Sequence, residues 1–184
     1  MFESTVPHIE EFLTKHHELY SGPCKAEYWE ENLCYALKKA GFGSDWKSDF
    51  NHKSGVDQTT NDGIRISNKG GSIKLDYVDI SGSRLTKHKT LEDKLDFLSQ
   101  KKEDYILCLA TKKDEWNKGI KRYYFIVIDS DKLNYHEQEW NKTKGGWNCL
   151  SEAFSAKIQR SMSDQLWTQF KLDYCEEIYE ITIG

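Results

Sequence analysis

Between Thr5 and Tyr20 the apolar positions recur every three or four residues. Ile9, Phe12, Leu13, His16 and Tyr20 fall on one side of a predicted helix, and Pro7 suits its first turn. A second helix is predicted from about Glu27 to Ala40. Trp29, Leu33, Leu37 and Ala40 form its stripe, and Gly41 stops it. The pattern then changes period. After a loop-rich stretch, 43–61, the residues 63–67 read as a short strand, Asn68-Lys69-Gly70-Gly71 as a hairpin turn, and Ser72 to Ser81 as the returning strand. In that second strand Val78 and Ile80 point one way, and Tyr77, Asp79 and Ser81 the other.

Thr90, with Asp93 three residues on, predicts a capped third helix lined by Leu91, Leu95 and Leu98. Tyr105 to Ala110 is nearly all apolar, as a central strand would be, and Tyr123 to Ile128 is similar. Polar loops are expected over 111–121 and 134–147. An amphipathic helix is expected over 152–170, and a last strand over 178–183. Helices and strands in this order are satisfied by an α/β fold, a mixed β-sheet flanked by α-helices. No linker or repeat divides the chain, so 1–184 is expected to be a single domain.

Composition narrows the function classes. Charged residues make up 30% of 184, with signs interspersed, which excludes a disordered acidic or basic tail. No stretch reaches the length of a membrane span and no apolar signal region opens the chain, so a cytoplasmic protein without membrane contact is expected. The net charge of −4 argues against a wholly basic nucleic-acid binder, yet local patches and a bound cation decide phosphate contact, not the sum. The five cysteines form no Cys-X-X-Cys pair, so neither a zinc site nor a disulfide framework is expected. Cys34 and Cys108 read as core residues. The six histidines do not cluster; His16-His17 reads as a surface pair, and His52 could lie near a site.

The candidate chemistry sits on the predicted hairpin. Asp62 opens one strand and Asp79 stands near the end of the next, so a turn at 68–71 would bring the two acids to one end of a sheet. Two neighbouring carboxylates repel, and a hard divalent cation relieves that repulsion. On the second helix Glu30 shares a side with Leu33, Cys34 and Leu37, whereas Glu31 turns to solvent. Asp57 is an alternative metal ligand, or a loop residue. The segment from Ser81 to Thr90 concentrates hydroxyls, Arg84, Lys87, His88 and Lys89 without an acid, a surface suited to phosphates. Lys142, Lys144, Trp147, Lys157, Gln159 and Arg160 form a second basic and polar stretch.

Asn61-Asp62, Asp79-Ile80-Ser81 and the helix running through Glu30 to Gly41-Phe42 resemble the PD-(D/E)XK, or restriction-endonuclease-like, nuclease superfamily, and most of all its small type II restriction endonucleases. In that family one strand opens on Asp, and the next carries Asp or Glu, any residue, then Lys. The resemblance covers about 27–128 and leaves 150–184 as a C-terminal extension. It implies a Mg²⁺-dependent endodeoxyribonuclease acting on double-stranded DNA. Asp62 and Asp79 would be metal ligands and Glu30 their helper. Ser81 would stand where the family's Lys contacts water and phosphate. It implies DNA contact by Ser83, Arg84, Lys87 and His88, and a homodimer if the recognised site is palindromic. The absent Lys leaves two alternatives: a donor from elsewhere, with Lys74, Lys87 and Lys89 as candidates, or a protein that binds DNA without cutting it. A structure-specific, resolvase-like nuclease would also fit this core.

Overall fold

The computed structural model describes residues 1–46, 56–100 and 102–184. The chain forms a mixed α/β domain around one large mixed sheet. Its helices are α1 (Val6–Leu19), α2 (Ala26–Lys39), α3 (Leu91–Ser99) and the short α4 (Lys113–Asn117). The strands are β1 (Ser44–Trp46), β2 (Gln58–Thr60), β3 (Arg65–Lys74), β4 (Tyr77–Arg84), β5 (Tyr105–Lys112), β6 (Arg122–Asp129), β7 (Asn141–Thr143), β8 (Gly146–Leu150), β9 (Phe154–Gln159), β10 (Gln165–Lys171) and β11 (Glu177–Thr182). Their order across the sheet is β11-β6-β5-β3-β4-β10-β9-β8-β7, with β1 and β2 joined to the side of β3. Among the described residues only the β3–β5 pairing is parallel. No helix among the described residues is long and apolar enough to cross a membrane.

Each face of the sheet buries its own core. On one face α1 and α2 bring Ile9, Leu13, Trp29, Leu33 and Leu37 onto Ile66, Leu107, Leu109, Phe125 and Val127. On the other, Val78, Ile80, Cys108, Ala110, Ile126 and Ile128 pack with Phe154, Ile158 and Phe170, and with Leu91, Phe97 and Leu98 of α3. Strand β5 alternates between the two clusters, which explains its unbroken apolar run. Cys34 and Cys108 are core residues, as expected. Thr90 and Asp93 make the expected capping box, satisfying two N-terminal N–H groups of α3, a contribution of about 1 kcal/mol.

Two expectations fail over turns, and His16 of the expected surface pair is buried. Asn68 to Gly71 is not a turn but the middle of β3, and the chain reverses at Leu75-Asp76. Leu75 there has φ 54° and is 92% exposed, a left-handed conformation on a non-glycine residue. The glycines serve close approach. A Cβ on Gly71 would lie 2.7 Å from Cys108 Sγ and 3.1 Å from the Asp79 carbonyl, and one on Gly70 would lie 2.9 Å from the Ala26 Cβ. The second failure is the helix expected over 152–170, which is instead the hairpin β9–β10. Phe154, Ala156 and Ile158, then Leu166, Thr168 and Phe170, are buried at every second position. Phe154 and Ile158 happen also to fit a helical spacing. Ser163 (φ 61°) and Asp164 (φ 49°) make the left-handed link that no helix interior accepts. The polar stretch 134–147 likewise contains β7, and 111–121 contains α4.

The parallel pair is clamped at its start. Asp104, just before β5, accepts from the Arg65 backbone N–H at 2.8 Å and from both faces of its guanidinium fork at 2.6 and 3.2 Å. Hydrogen bonding by the Arg65 side chain holds the Asp104 carboxyl below its ordinary value. A depressed pKa contributes stability that is present above the ordinary carboxylate range and is lost as pH falls through the lowered value. Asp104→Asn should therefore be less stable than the parent at neutral pH, with the difference closing under acid; a gap in denaturation midpoint that does not change with pH would refute the clamp. Gly71→Ala should cost about 1–3 kcal/mol, because the Asp79 backbone cannot yield, and an unchanged midpoint would show that the packing there is loose.

Candidate functional site

The position of the turn decides which carboxylates meet. With reversal at Leu75-Asp76, Asp79 pairs with Ser72. From Ser72 back to Arg65 is roughly 23 Å of extended chain at about 3.3 Å per residue, and Asp62 lies in the turn before that. Two ligands of one Mg²⁺ sit about 2.0–2.1 Å from it, so Asp62 and Asp79 cannot share an ion. Each is otherwise employed. Asp62 is exposed and accepts the Thr60 hydroxyl, a turn contact. Asp79 pairs with Lys74 at 3.8 Å. The shared metal site expected on Asp62 and Asp79 is thereby corrected.

A different set converges at a gap in the sheet. One edge of β3 is paired with β5 from Ile66 to Ile73. The other edge meets β2 only at Arg65 and Ile66, and β4 only from Gly71 to Lys74. Among the described residues, the stretch 67–70 has no registered partner on that edge. Strand β4 leaves β3 after Ile80 and continues to Arg84 against β10 alone. Ser81 to Arg84 and 67–70 thus flank an opening in the strand pairing among the described residues.

Asp57 closes the base of this opening. Its Oδ2 accepts the Asn68 backbone N–H at 2.6 Å and the Ser67 hydroxyl at 3.2 Å. The first bond serves a strand N–H at the unpaired edge. Asp57 is half-buried and Ser67 buried. Lys69 shares a strand face with Ser67, two residues away, and is half-buried. Gln58, next to Asp57, donates its side-chain amide to the Glu30 backbone carbonyl at 2.7 Å, which ties α2 to β2 on the sheet face opposite to that of Ser67 and Lys69. Glu30 is half-buried and Glu31 exposed, as the helical stripe predicts. Asn68 is buried, and neither its side-chain oxygen nor its nitrogen has a hydrogen-bond partner among the described residues. Buried polar atoms are seldom left so, and groups of this kind concentrate at functional sites.

The remaining expected residues are distributed as follows. Ser81 is half-buried where β4 departs, with Trp167 as its partner on β10. Ser83, Arg84 and Lys87 are exposed beyond it. His88 is half-buried with its ring 4.6 Å from that of Phe97, and its carbonyl accepts from the buried Lys94. Its imidazole packs rather than projects. Lys74 lies at the far end of the hairpin with Asp79, and Lys89 is exposed before α3. His52 lies outside the described residues. No group of three or more His, Cys, Asp or Glu that could hold a metal occurs among the described residues.

Sequence reasoning ranked Asp57 second and assigned Lys69 to a turn. The signal missed was the spacing of Asp57 from Ser67-Asn68-Lys69, hidden by the two glycines that follow. No family model, no curated protein and no solved structure matches this chain.

If the corner at Asp57 is the site, Asp62→Asn and Asp79→Asn should each leave any nucleic-acid cleavage within about twofold of the parent, since neither reaches the opening. Loss of cleavage in either variant, with the fold intact by circular dichroism, would restore the pair as the centre.

Proposed function

We propose that this chain is a divalent-metal-dependent endodeoxyribonuclease with a restriction-endonuclease-like core, working from Asp57 and Lys69. The observation that carries the reading is the opening between β3 and β4, with the Asp57 carboxylate fixed at its base beside Ser67 and with Lys69 two residues on. The family pattern is an Asp, then a strand bearing an acid, any residue and Lys, behind a helix bearing Glu. Asp57, Ser67-Asn68-Lys69 and Glu30 follow that order, with Ser67 at the acid position. Lys69 restores the ammonium that Ser81 could not supply.

The donor set accommodates a hard cation. Mg²⁺ is commonly held by one or two carboxylates, with waters and substrate phosphate completing its shell. Asp57 offers one carboxylate, of which Oδ2 serves Ser67 and Asn68, and the Glu30 backbone is joined to the neighbouring Gln58. Such an ion, when bound, would neutralise phosphate charge and sharpen the acidity of water. Lys69 would stabilise charge on the phosphoryl oxygens as water adds to phosphorus and the sugar oxygen leaves. Arg84 at the end of β4 and Lys87 in the turn after it would hold neighbouring phosphates. A palindromic target would call for a homodimer.

The serine at the acid position favours one second reading, a protein that binds DNA on this fold without cutting it. One assay separates the two. Phage genomic DNA, which offers many sequences, is incubated with the protein in Mg²⁺ and in EDTA. Discrete Mg²⁺-dependent fragments are expected. Asp57→Asn and Lys69→Ala should each lower the rate at least about a hundredfold with the fold retained. Wild-type rates in both variants would refute the site, and binding without cleavage would favour the second reading.

A further inference from the structure

Helix α2 buries only its inner side. Trp29, Leu33, Ala36 and Leu37 are buried, whereas Glu27, Tyr28, Glu31, Tyr35, Lys38 and Lys39 are exposed. Tyr28, Glu31, Tyr35 and Lys38 follow one another at intervals of three, four and three residues, which sets them on one line down the helix. That spacing is the seam along which two helices pack. The two tyrosines are 48% and 43% exposed, although a phenol is a large apolar body with a polar tip.

The line is also graded in charge. Glu27 and Glu31 stand in its first half, and Lys38 and Lys39 in its last turn. Laid parallel on a second copy, it would set Glu31 on Glu31 and Lys38 on Lys38, and like charges repel. Laid antiparallel about a two-fold axis level with Leu33, it sets unlike groups together. Tyr28 then meets the partner's Lys38, Glu31 the partner's Tyr35, and Glu27 the partner's Lys39, because the members of each pair lie equally far from position 33. An ammonium over a phenol face, a phenol O–H donated to a carboxylate, and an ion pair are all favourable contacts. The two-fold axis makes each of them twice, and the helix dipoles run opposed.

We infer that the outer line of α2 is a contact between two copies of this chain, paired antiparallel about Leu33. The inference stands apart from the nuclease reading, since Ser67 and Lys69 belong to the other side of the sheet. A helix of 14 residues is about 21 Å long at about 1.5 Å per residue. A contact of that length buries under about 1,200 Å², the range of a reversible, concentration-dependent dimer. The present neighbours of these groups yield at little cost, being exposed. Lys39 lies 5.6 Å from the ring of its own Tyr35, and Lys25 lies 3.9 Å from Glu27.

Exchange of charges tests it, by sedimentation velocity of the full chain at low salt from about 1 to about 300 µM, where a weak dimer forms and dissociates. Glu27→Lys sets a lysine against the partner's Lys39, and Lys39→Glu sets a glutamate against the partner's Glu27. Each variant alone should therefore dimerise at least about tenfold more weakly than the parent. An equimolar mixture of the two makes both ion pairs again and should dimerise as the parent does. The double variant Tyr28→Ala, Tyr35→Ala should stay monomeric throughout. Circular dichroism of every variant should match the parent, since these side chains are exposed. A parent that stays monomeric over the whole range overturns the inference. So does a dimer that all the variants leave unchanged, which would place the contact elsewhere. A mixture no better than its components overturns it as well, by removing the antiparallel register.

Discussion

Strand β3 is paired along nearly its whole length on one edge but is shared between two strands on the other. Its parallel bond to β5 fixes it in the middle of the sheet, where both faces are buried. The antiparallel edge is divided between β2 and β4, with the stretch 67–70 left between them. Strand backbone cannot leave its N–H groups buried and unpaired. The Asp57 carboxylate serves the Asn68 N–H, so the local need of the sheet also fixes an acid beside a lysine-bearing strand. A requirement of the fold and the proposed chemistry fall on the same carboxylate.

Close packing holds that arrangement in register. Gly71 lets β3 approach Cys108 and the Asp79 carbonyl, and Gly70 lets the start of α2 rest on the sheet. The second contact places α2 so that the Glu30 carbonyl can receive Gln58. Beyond the gap, β4 is free to follow β10 into an extension with its own hydrophobic underside, whose strands β7 to β10 carry no acid. The sheet therefore carries two regions of different character. One is covered by helices and the other is open, and the opening lies at their junction. The net charge of −4 hides this division, because β7 to β10 themselves carry no acid, although Glu152 and Asp164 lie in the links between them.

The sequence by itself determined α1, α2 and the capped α3, since each has a stripe of period 3.6 and a recognisable start or stop. It determined β5 and β6 as buried strands and Glu30 as the inward acid of its pair. It could not determine where the β3–β4 hairpin turns, or that 152–170 is a hairpin. Gly70-Gly71 satisfies a turn and a close approach equally well, and Phe154 and Ile158 satisfy both a helix and a strand. Only the tertiary structure chose, through contacts with Cys108, Ala26 and Phe170 that lie far off in sequence. Because an antiparallel register is set by the position of its turn, that choice separated Asp62 from Asp79 and brought Asp57 to Ser67.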